Sequence, residues 1–222
     1  MSTSRYLRRK IEDLIANKKT NTDDILALFD KLMKNPRNLI LLTDAYKYSH
    51  HKFYGKETTR LYSYLESRGG KFEKTLFFGL QIFLKKYLEG VAITPQDVDE
   101  ADEFLATKYG VFGRDDVFDR SKFDYIVEKH GGKLPIIIKA VPEGTILNTH
   151  NILMSIENTD TECAWLTNFL ESLLLQVWYT ITVASLSREV RNIVEKYIDK
   201  TTTLTGVARE MTIAFMLNDF GF

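Results

Sequence analysis

Cysteine is nearly missing from this 222-residue chain: Cys163 is the only one. No intrachain disulfide can form, and a zinc site built from several thiolates is excluded. A lone thiol fits a reducing cytosol. Net charge is also lacking, because thirty Lys and Arg residues stand against thirty Asp and Glu. A non-specific nucleic-acid binder needs a cationic surplus to displace counterions from phosphates, so that class is set aside, although a balanced total still allows one compact anion site. No segment approaches the roughly 18 consecutive apolar residues of a membrane helix. Arg5, Arg8, Arg9, Lys10, Glu12 and Asp13 leave no apolar core for a secretory signal. Internal repeats and low-complexity linkers are absent. These gaps together predict a soluble, cytoplasmic protein with neither nucleic acid nor membrane as partner.

What is present is the profile of a folded globular protein, with 44% hydrophobic and 27% charged residues. Residues 4 to 34 read as two short helices. Ser4 caps the first and Leu7, Ile11, Leu14 and Ile15 form its stripe; Asn35-Pro36 stops the second. Leu39 to Leu42 is a short apolar run. Arg60 to Glu66 alternates as a strand, Leu61, Ser63 and Leu65 facing away from Tyr62 and Tyr64. Leu76 to Leu88 reads as helix. Thr94-Pro95 opens another, with Val98, Ala101, Leu105 and Tyr109 on its buried side. Ile136-Ile137-Ile138 reads as a strand buried on both faces and ended by Pro142-Glu143-Gly144; Ile152 to Ile156 is a second. Thr159-x-x-Glu162 is a capping box for the clearest helix, whose broad apolar face runs Trp165, Leu166, Phe169, Leu170, Leu173, Leu174, Val177. A further helix covers about Ser185 to Tyr197. The fold class is α/β or α+β.

Four groups of residues have chemistry to offer. Asp44, Tyr46, Lys47 and His50 crowd together directly after an apolar run. A polar group beside a flat aromatic face is what a planar heterocycle needs, since stacking gives affinity and the polar group gives orientation; an ordinary surface loop gives the same spacing. Arg68, beside Gly69-Gly70 and Lys71 at a strand end, can meet a phosphate bidentately, or be a solvated turn. Asp115, Asp116 and Asp119 could bind Mg²⁺, or form a capped turn. Among the histidines, His50 and His51 are adjacent and make a poor metal pair, so no metal ligand is assigned. Asp219-Phe220-Gly221 matches the kinase metal-binding triplet, but no glycine-rich loop or His-Arg-Asp accompanies it, and Phe220 alone reads as a core aromatic.

Taken in order, these words resemble the nicotinamide phosphoribosyltransferases. The matching segments are Leu41-Leu-Thr-Asp-Ala-Tyr-Lys47 with His50, Leu61-Tyr-Ser-Tyr-Leu-Glu66 with Arg68, Phe78-Gly-Leu-Gln81, Asp115-Asp-Val-Phe118, and Leu134-Pro135 with Ile138-Lys-Ala-Val-Pro-Glu-Gly144. Glu157-Asn-Thr-Asp160, Trp165-Leu-Thr-Asn168, Trp178-Tyr179, Thr182-Val-Ala184, Ser187-Arg-Glu189 and Asp219-Phe-Gly221 follow. The resemblance implies that Phe220 stacks on one face of nicotinamide and Tyr46, from the second subunit of a homodimer, on the other. Asp44 shapes the base end of that pocket, and Arg68 contacts phosphates of phosphoribosyl pyrophosphate or ATP. It further implies Mg²⁺ and ATP as cofactors, and formation of nicotinamide mononucleotide in NAD salvage.

The implied organisation is a helical extension over 1–36, an N-terminal phosphoribosyltransferase domain over 37–145, and the start of a catalytic, barrel-like domain over 146–222. This chain departs from the family at Ala45 and near Gly55, and at Thr161 and Thr180, where the family has proline. The arginine, aspartate and phosphorylated histidine that follow Asp-Phe-Gly in the family have no counterpart here. The apolar run from Met211 to Phe222 suits an interrupted sequence. The expectation is therefore an incomplete N-terminal half, inactive alone. The alternatives are one half of a split enzyme and a non-catalytic dimerisation or binding protein.

Overall fold

The computed structural model describes residues 38–114 and 116–217. The two short helices expected over 4 to 34 lie outside the described residues, as do Asp115 and the Asp219-Phe220-Gly221 triplet. The chain forms two compact units that interleave in sequence. One draws on Met1–Leu61, Gln81–Ile137 and Glu157–Leu173; the other draws on Tyr62–Leu80, Ile138–Ile156 and Leu174–Phe222. These units are defined by contacts, so they partition the chain differently from a sequential division at 145.

The first unit is mainly helical. A 3₁₀ turn over Leu39–Leu41 realises the short apolar run, with Leu39 and Ile40 buried. Asn38 caps it: its Oδ1 accepts from Ile40 N at 3.0 Å while its Nδ2 donates to Asp97 O at 2.6 Å. Helix α1 (Lys47–His50) follows. In the same unit α3 (Pro95–Gly110) begins at Thr94 as the sequence requires, and the capping box is completed by Asp97. Val98, Ala101 and Leu105 are fully buried on it, while Tyr109 is only partly covered. Helix α4 (Arg120–His130) ends on Gly131 in the left-handed conformation at φ 60°, a turn that glycine makes without steric cost. Phe123 of α4 meets Phe118, Trp165 and Phe169 at centroid distances of 5.2, 5.0 and 5.3 Å, and this aromatic cluster is the unit's core.

The expected helix from Thr159 is broken into pieces. Asp160, not Thr159, supplies the cap, accepting from Glu162 N, and Thr161–Cys163 forms a 3₁₀ turn. Thr159 instead donates its backbone N–H to Pro135 O at 2.8 Å. Helices α5 (Ala164–Phe169) and α6 (Glu171–Leu174) follow, and α7 then runs from Val177 to Thr201, starting eight residues before the expected Ser185. Seven predicted apolar positions from Trp165 to Val177 are all buried, so the periodicity was sound although the helix is not continuous.

The second unit carries the strands. Strands β1 (Tyr62–Glu66), β5 (Ile152–Asn158) and β3 (Ile136–Ala140) form a sheet in the order β1-β5-β3. Central β5 buries Leu153 through Ile156. β3 is an edge strand with Ile137 exposed, so the expectation of a strand covered on both faces is wrong. The triple-isoleucine run has the composition of a doubly buried strand, but Ile137 stays 43% exposed.

Strands β2 (Lys74–Leu76) and β4 (Ile146–Asn148) pair antiparallel with Thr75 opposite Leu147. Three residues each are too few to show alternation, and β2 displaces the start of the helix expected at Leu76. Helix α2 (Leu80–Phe83) begins after Gly79 and passes into a π-helical turn over Leu84–Leu88. Buried Ser185 of α7 accepts from Leu76 N at 2.9 Å and donates to Ile181 O at 2.7 Å, so a helix hydroxyl satisfies an edge amide of β2. Helix α8 (Gly206–Met216) packs on α7. No single helix among the described residues is long and apolar enough to cross a membrane.

Candidate functional site

The segment from Thr43 to His50 is pinned by side chains that arrive more than a hundred residues later. Thr43 Oγ1 donates to Phe169 O at 2.9 Å. Ser172 Oγ accepts the Asp44 N–H at 3.1 Å and donates to Asp44 Oδ2 at 2.6 Å, a reciprocal latch that fixes the Asp44 carboxylate. Lys47 ends with its side chain only 1% exposed, bonded through Nζ to Asn168 Oδ1 at 2.5 Å and to Glu171. Burial by itself lowers the lysine pKa, and the Glu171 hydrogen bond and charge then raise it above its usual value. Asn168 donates its remaining amide hydrogens to Tyr54 Oη at 2.7 Å and towards His50 Nδ1 at 3.0 Å.

These contacts divide the candidate group by role. Lys47 and His50 are consumed by internal bonds. Tyr46 also interacts with Lys47, but its ring stays open: it is 54% exposed, approached at 4.9 Å by Lys47 Nζ and edge-on at 5.5 Å by His50. It faces an open cleft of about 480 Å³, whose lining includes Ala45, Ser49, Tyr109, Phe112, Arg114 and Val117. A rigid backbone presenting a bare aromatic face with a cation beside it can take a planar ring by stacking.

Sequence reading did not find Ser172, Glu171 or the cleft wall formed by Tyr109, Phe112 and Arg114. Their link to Tyr46 is made by tertiary contact alone. Only Asn168 carried a signal, through its place in the Trp165-Leu-Thr-Asn word.

Arg68 lies in the other unit. Its turn follows β1, with Gly69 and Gly70 at φ 95° and 147° and Ser67 O accepting from His150 N at 2.8 Å. The turn leads from the β1 sheet to the β2–β4 pair rather than closing a hairpin. The Arg68 side chain is exposed and makes no ion pair among the described residues. Exposed donors at a glycine-rich turn suit an anion.

The aspartates offer less to a divalent cation. Asp116 is gripped by Arg114 at 2.9 Å and Lys52 at 3.2 Å, which hold its carboxyl down to about 2. Asp119 accepts from Ser121 Oγ at 2.6 Å and lies 3.7 Å from His51 Nε2. Their oxygens serve local bonds, the arrangement of a capped turn.

One mixed cluster lies elsewhere in the first unit: atoms of His130, Asp160 and Cys163 come within 4.8 Å of one another. Asp160 already receives Tyr125 Oη at 2.9 Å, His130 Nε2 at 2.7 Å and the Glu162 amide. Beside it Asn158 ties Leu61 N at 2.8 Å, Thr59 O at 2.9 Å and Asp160 O at 2.8 Å. The Glu157-Asn-Thr-Asp160 word is thus a structural junction. Burial, and secondarily Asp160, push the Cys163 thiol up to about 12. The expected consequence is that Cys163 resists iodoacetamide at pH 8 in the folded chain and reacts promptly in urea. Stoichiometric labelling of the native chain within minutes would contradict that burial.

The fold and site define a mixed α/β protein that presents an open aromatic on a pinned turn. Residues 38–138 match the family model described as Nicotinamide phosphoribosyltransferase, N-terminal domain. Over 184 residues the chain is 42% identical to a nicotinamide phosphoribosyltransferase of Xanthomonas campestris pv. campestris, covering 83% of this chain and 37% of that protein. It is 28% identical over 179 residues to the protein of the same name from Acinetobacter baylyi, with 75% and 34% covered, and 27% identical over 205 residues to that of Mycoplasma genitalium, with 82% and 43% covered. The chain carries the N-terminal domain of the nicotinamide phosphoribosyltransferase family. It spans less than half the length of these curated relatives.

Proposed function

We propose that this chain supplies the base-recognition side of a nicotinamide phosphoribosyltransferase serving NAD salvage. The observation that carries the reading is Tyr46: a half-exposed ring on a backbone held from both sides by Ser172, Asn168 and Glu171, opening on a cleft. Such a ring can take a planar partner on its open face. In the proposed site Tyr46 of one subunit covers one face of nicotinamide and Phe220 of the other subunit covers the second, so the active form is a homodimer. Asp44, fixed by Ser172, orients the base end. Arg68 offers a bidentate cation to the phosphates of phosphoribosyl pyrophosphate or of ATP.

In the reaction the pyridine ring nitrogen attacks C1 of the phosphoribosyl group as the bond to pyrophosphate breaks, giving nicotinamide mononucleotide and pyrophosphate. The sugar becomes oxocarbenium-like, so the barrier depends on holding nitrogen and C1 in line and on stabilising the departing charge. The residues named here orient the base and contribute one cation. Mg²⁺ finds no assembled carboxylate cradle among the described residues, because Asp116 and Asp119 are engaged locally, and no step is assigned to it.

The chain alone is expected to make no nicotinamide mononucleotide. Co-expression with the remaining C-terminal portion of the Xanthomonas relative is expected to give product. Tyr46→Ala in that pair should raise the KM for nicotinamide about twofold to tenfold, as loss of one stacking face worth roughly 0.5–1.5 kcal/mol predicts. Product from the purified chain alone overturns the incomplete-half reading. Inactivity of a correctly assembled pair favours the non-catalytic binding protein instead.

A further inference from the structure

Helix α7 is apolar on two sides. Its inner side buries Val177, Ile181 and Ile198. Its outer side carries Trp178, Leu186, Ile193 and Tyr197, all exposed, with Thr182 exposed and Val190 partly exposed between them. The spacing is four, four, four, three and four residues, a stripe that winds by about 100° along about 29 Å of helix. Helix α8 continues the pattern with Val207, Met211 and Phe215 at intervals of four, Phe215 being 87% exposed.

The two helices hold each other firmly. Arg191 meets Glu210 at 2.6 Å and Arg209 meets Asp199 at 2.8 Å. Those pairs consume some of the charge close to the stripe, and the outward surface is largely apolar, with exposed Lys196 and Lys200 at its C-terminal end, Lys200 6.0 Å from the Tyr197 ring. A soluble chain rarely leaves so continuous an apolar surface bare. A helix with two apolar sides is built to be covered on both.

We propose that the outer face of α7 and α8 is the docking surface for the polypeptide that makes up the remaining length of nicotinamide phosphoribosyltransferases, whether it follows in the same chain or arrives as a separate one. The choice of occupant rests on length: the aligned part of this chain accounts for only 37% of the Xanthomonas relative and 34% of the Acinetobacter one, so most of such a protein lies outside it. A largely hydrophobic surface fits a permanent type of contact better than a transient charged one. This inference rests on the reading of the chain as the N-terminal part of a transferase, and it adds where the rest attaches.

The test uses the full 222-residue chain, co-expressed with a tagged C-terminal portion of the Xanthomonas relative, and reads co-purification rather than catalysis. The wild-type chain is expected to be recovered at one to one. Leu186→Glu with Ile193→Glu, and separately Met211→Glu, should lower recovery at least tenfold. Val111→Glu, a still more exposed apolar position outside this face, should leave it unchanged. Circular dichroism of each variant checks that the exposed substitutions keep the fold.

No complex with the wild-type chain overturns the proposal, as does undiminished recovery of the glutamate variants. A wild-type chain that sediments alone as a dimer and becomes monomeric on Leu186→Glu assigns the face to a second copy, and also overturns it. Assembly without nicotinamide mononucleotide formation leaves the docking surface standing and removes the transferase reading.

Discussion

Replacing Phe123 with alanine is expected to destabilise the chain by about 3–5 kcal/mol, the usual cost of deleting a buried aromatic. Phe123 is 3% exposed and sits edge-on to both Trp165 and Phe169 and stacked on Phe118. Phe169 in turn lies 5.9 Å from Tyr48 of α1, whose hydroxyl donates to Ile40 O at 2.9 Å. One side chain thus joins α4, α5 and the helix that begins immediately after Tyr46. A void there has no easy way to collapse, because the surrounding rings are large, flat and mutually wedged. Against a typical total of roughly 5–15 kcal/mol, the loss should move the urea midpoint clearly and leave little folded protein at 37 °C. Phe112→Ala provides the contrast. That ring is exposed at the cleft, and its removal should change stability by no more than about 0.5 kcal/mol. Equal midpoints for the two variants would dispose of the aromatic cluster as the core of this unit.

Much of this core was legible in the sequence. The spacing of Trp165, Leu166, Phe169, Leu170, Leu173, Leu174 and Val177 named residues that are all buried, and Thr94-Pro95 fixed the start of α3 to the residue. Both signals are local, one a period and the other a cap. Errors arose where tertiary contact decides. Ile137 has the composition of a covered strand but belongs to an edge. β2 and β4 are three residues each and exist because they pair with one another, which no local window reveals. The capping box at Thr159 was displaced by one residue because Asp160 is a centre for Tyr125, His130 and Glu162 at once.

The candidate site divides along the same line. Tyr46 and Asp44 could be picked out from the crowding of polar and aromatic residues after an apolar run. What makes Tyr46 distinctive could not be. Four neighbouring residues with similar chemistry are sorted by partners 118 to 128 positions away: Asn168 and Glu171 take up Lys47, Asn168 takes up His50, and Ser172 latches Asp44. Only the tyrosine ring remains open. Arg68 was found from its glycines, and its turn does have the positive φ angles those glycines suggested.

Gly132→Ala should cost considerably more than Gly131→Ala, although the two glycines are adjacent and both adopt left-handed backbone, at φ 77° and 60°. An alanine at either position carries the strain of that conformation, about 1–2 kcal/mol. At Gly131 nothing lies within 4 Å of the added carbon, so the strain is the whole effect. At Gly132 the carbon would fall 2.1 Å from the carbonyl oxygen of Ile93 and 2.9 Å from Val91 Cγ1. The backbone there cannot easily withdraw, because Gly132 O accepts from both Ala92 N at 2.9 Å and Ile93 N at 3.1 Å, while Gly132 N donates to Ile126 O at 3.1 Å. Relieving the clash means giving up those bonds and shifting Ile93, whose side chain is 1% exposed in the core. The expected loss is at least about 3 kcal/mol, in the range of overpacking combined with broken buried hydrogen bonds. Urea denaturation of the two variants side by side measures the difference directly. Similar midpoints would mean that backbone conformation alone requires Gly132, and that the close approach of the segment around Ile93 to the end of α4 contributes nothing.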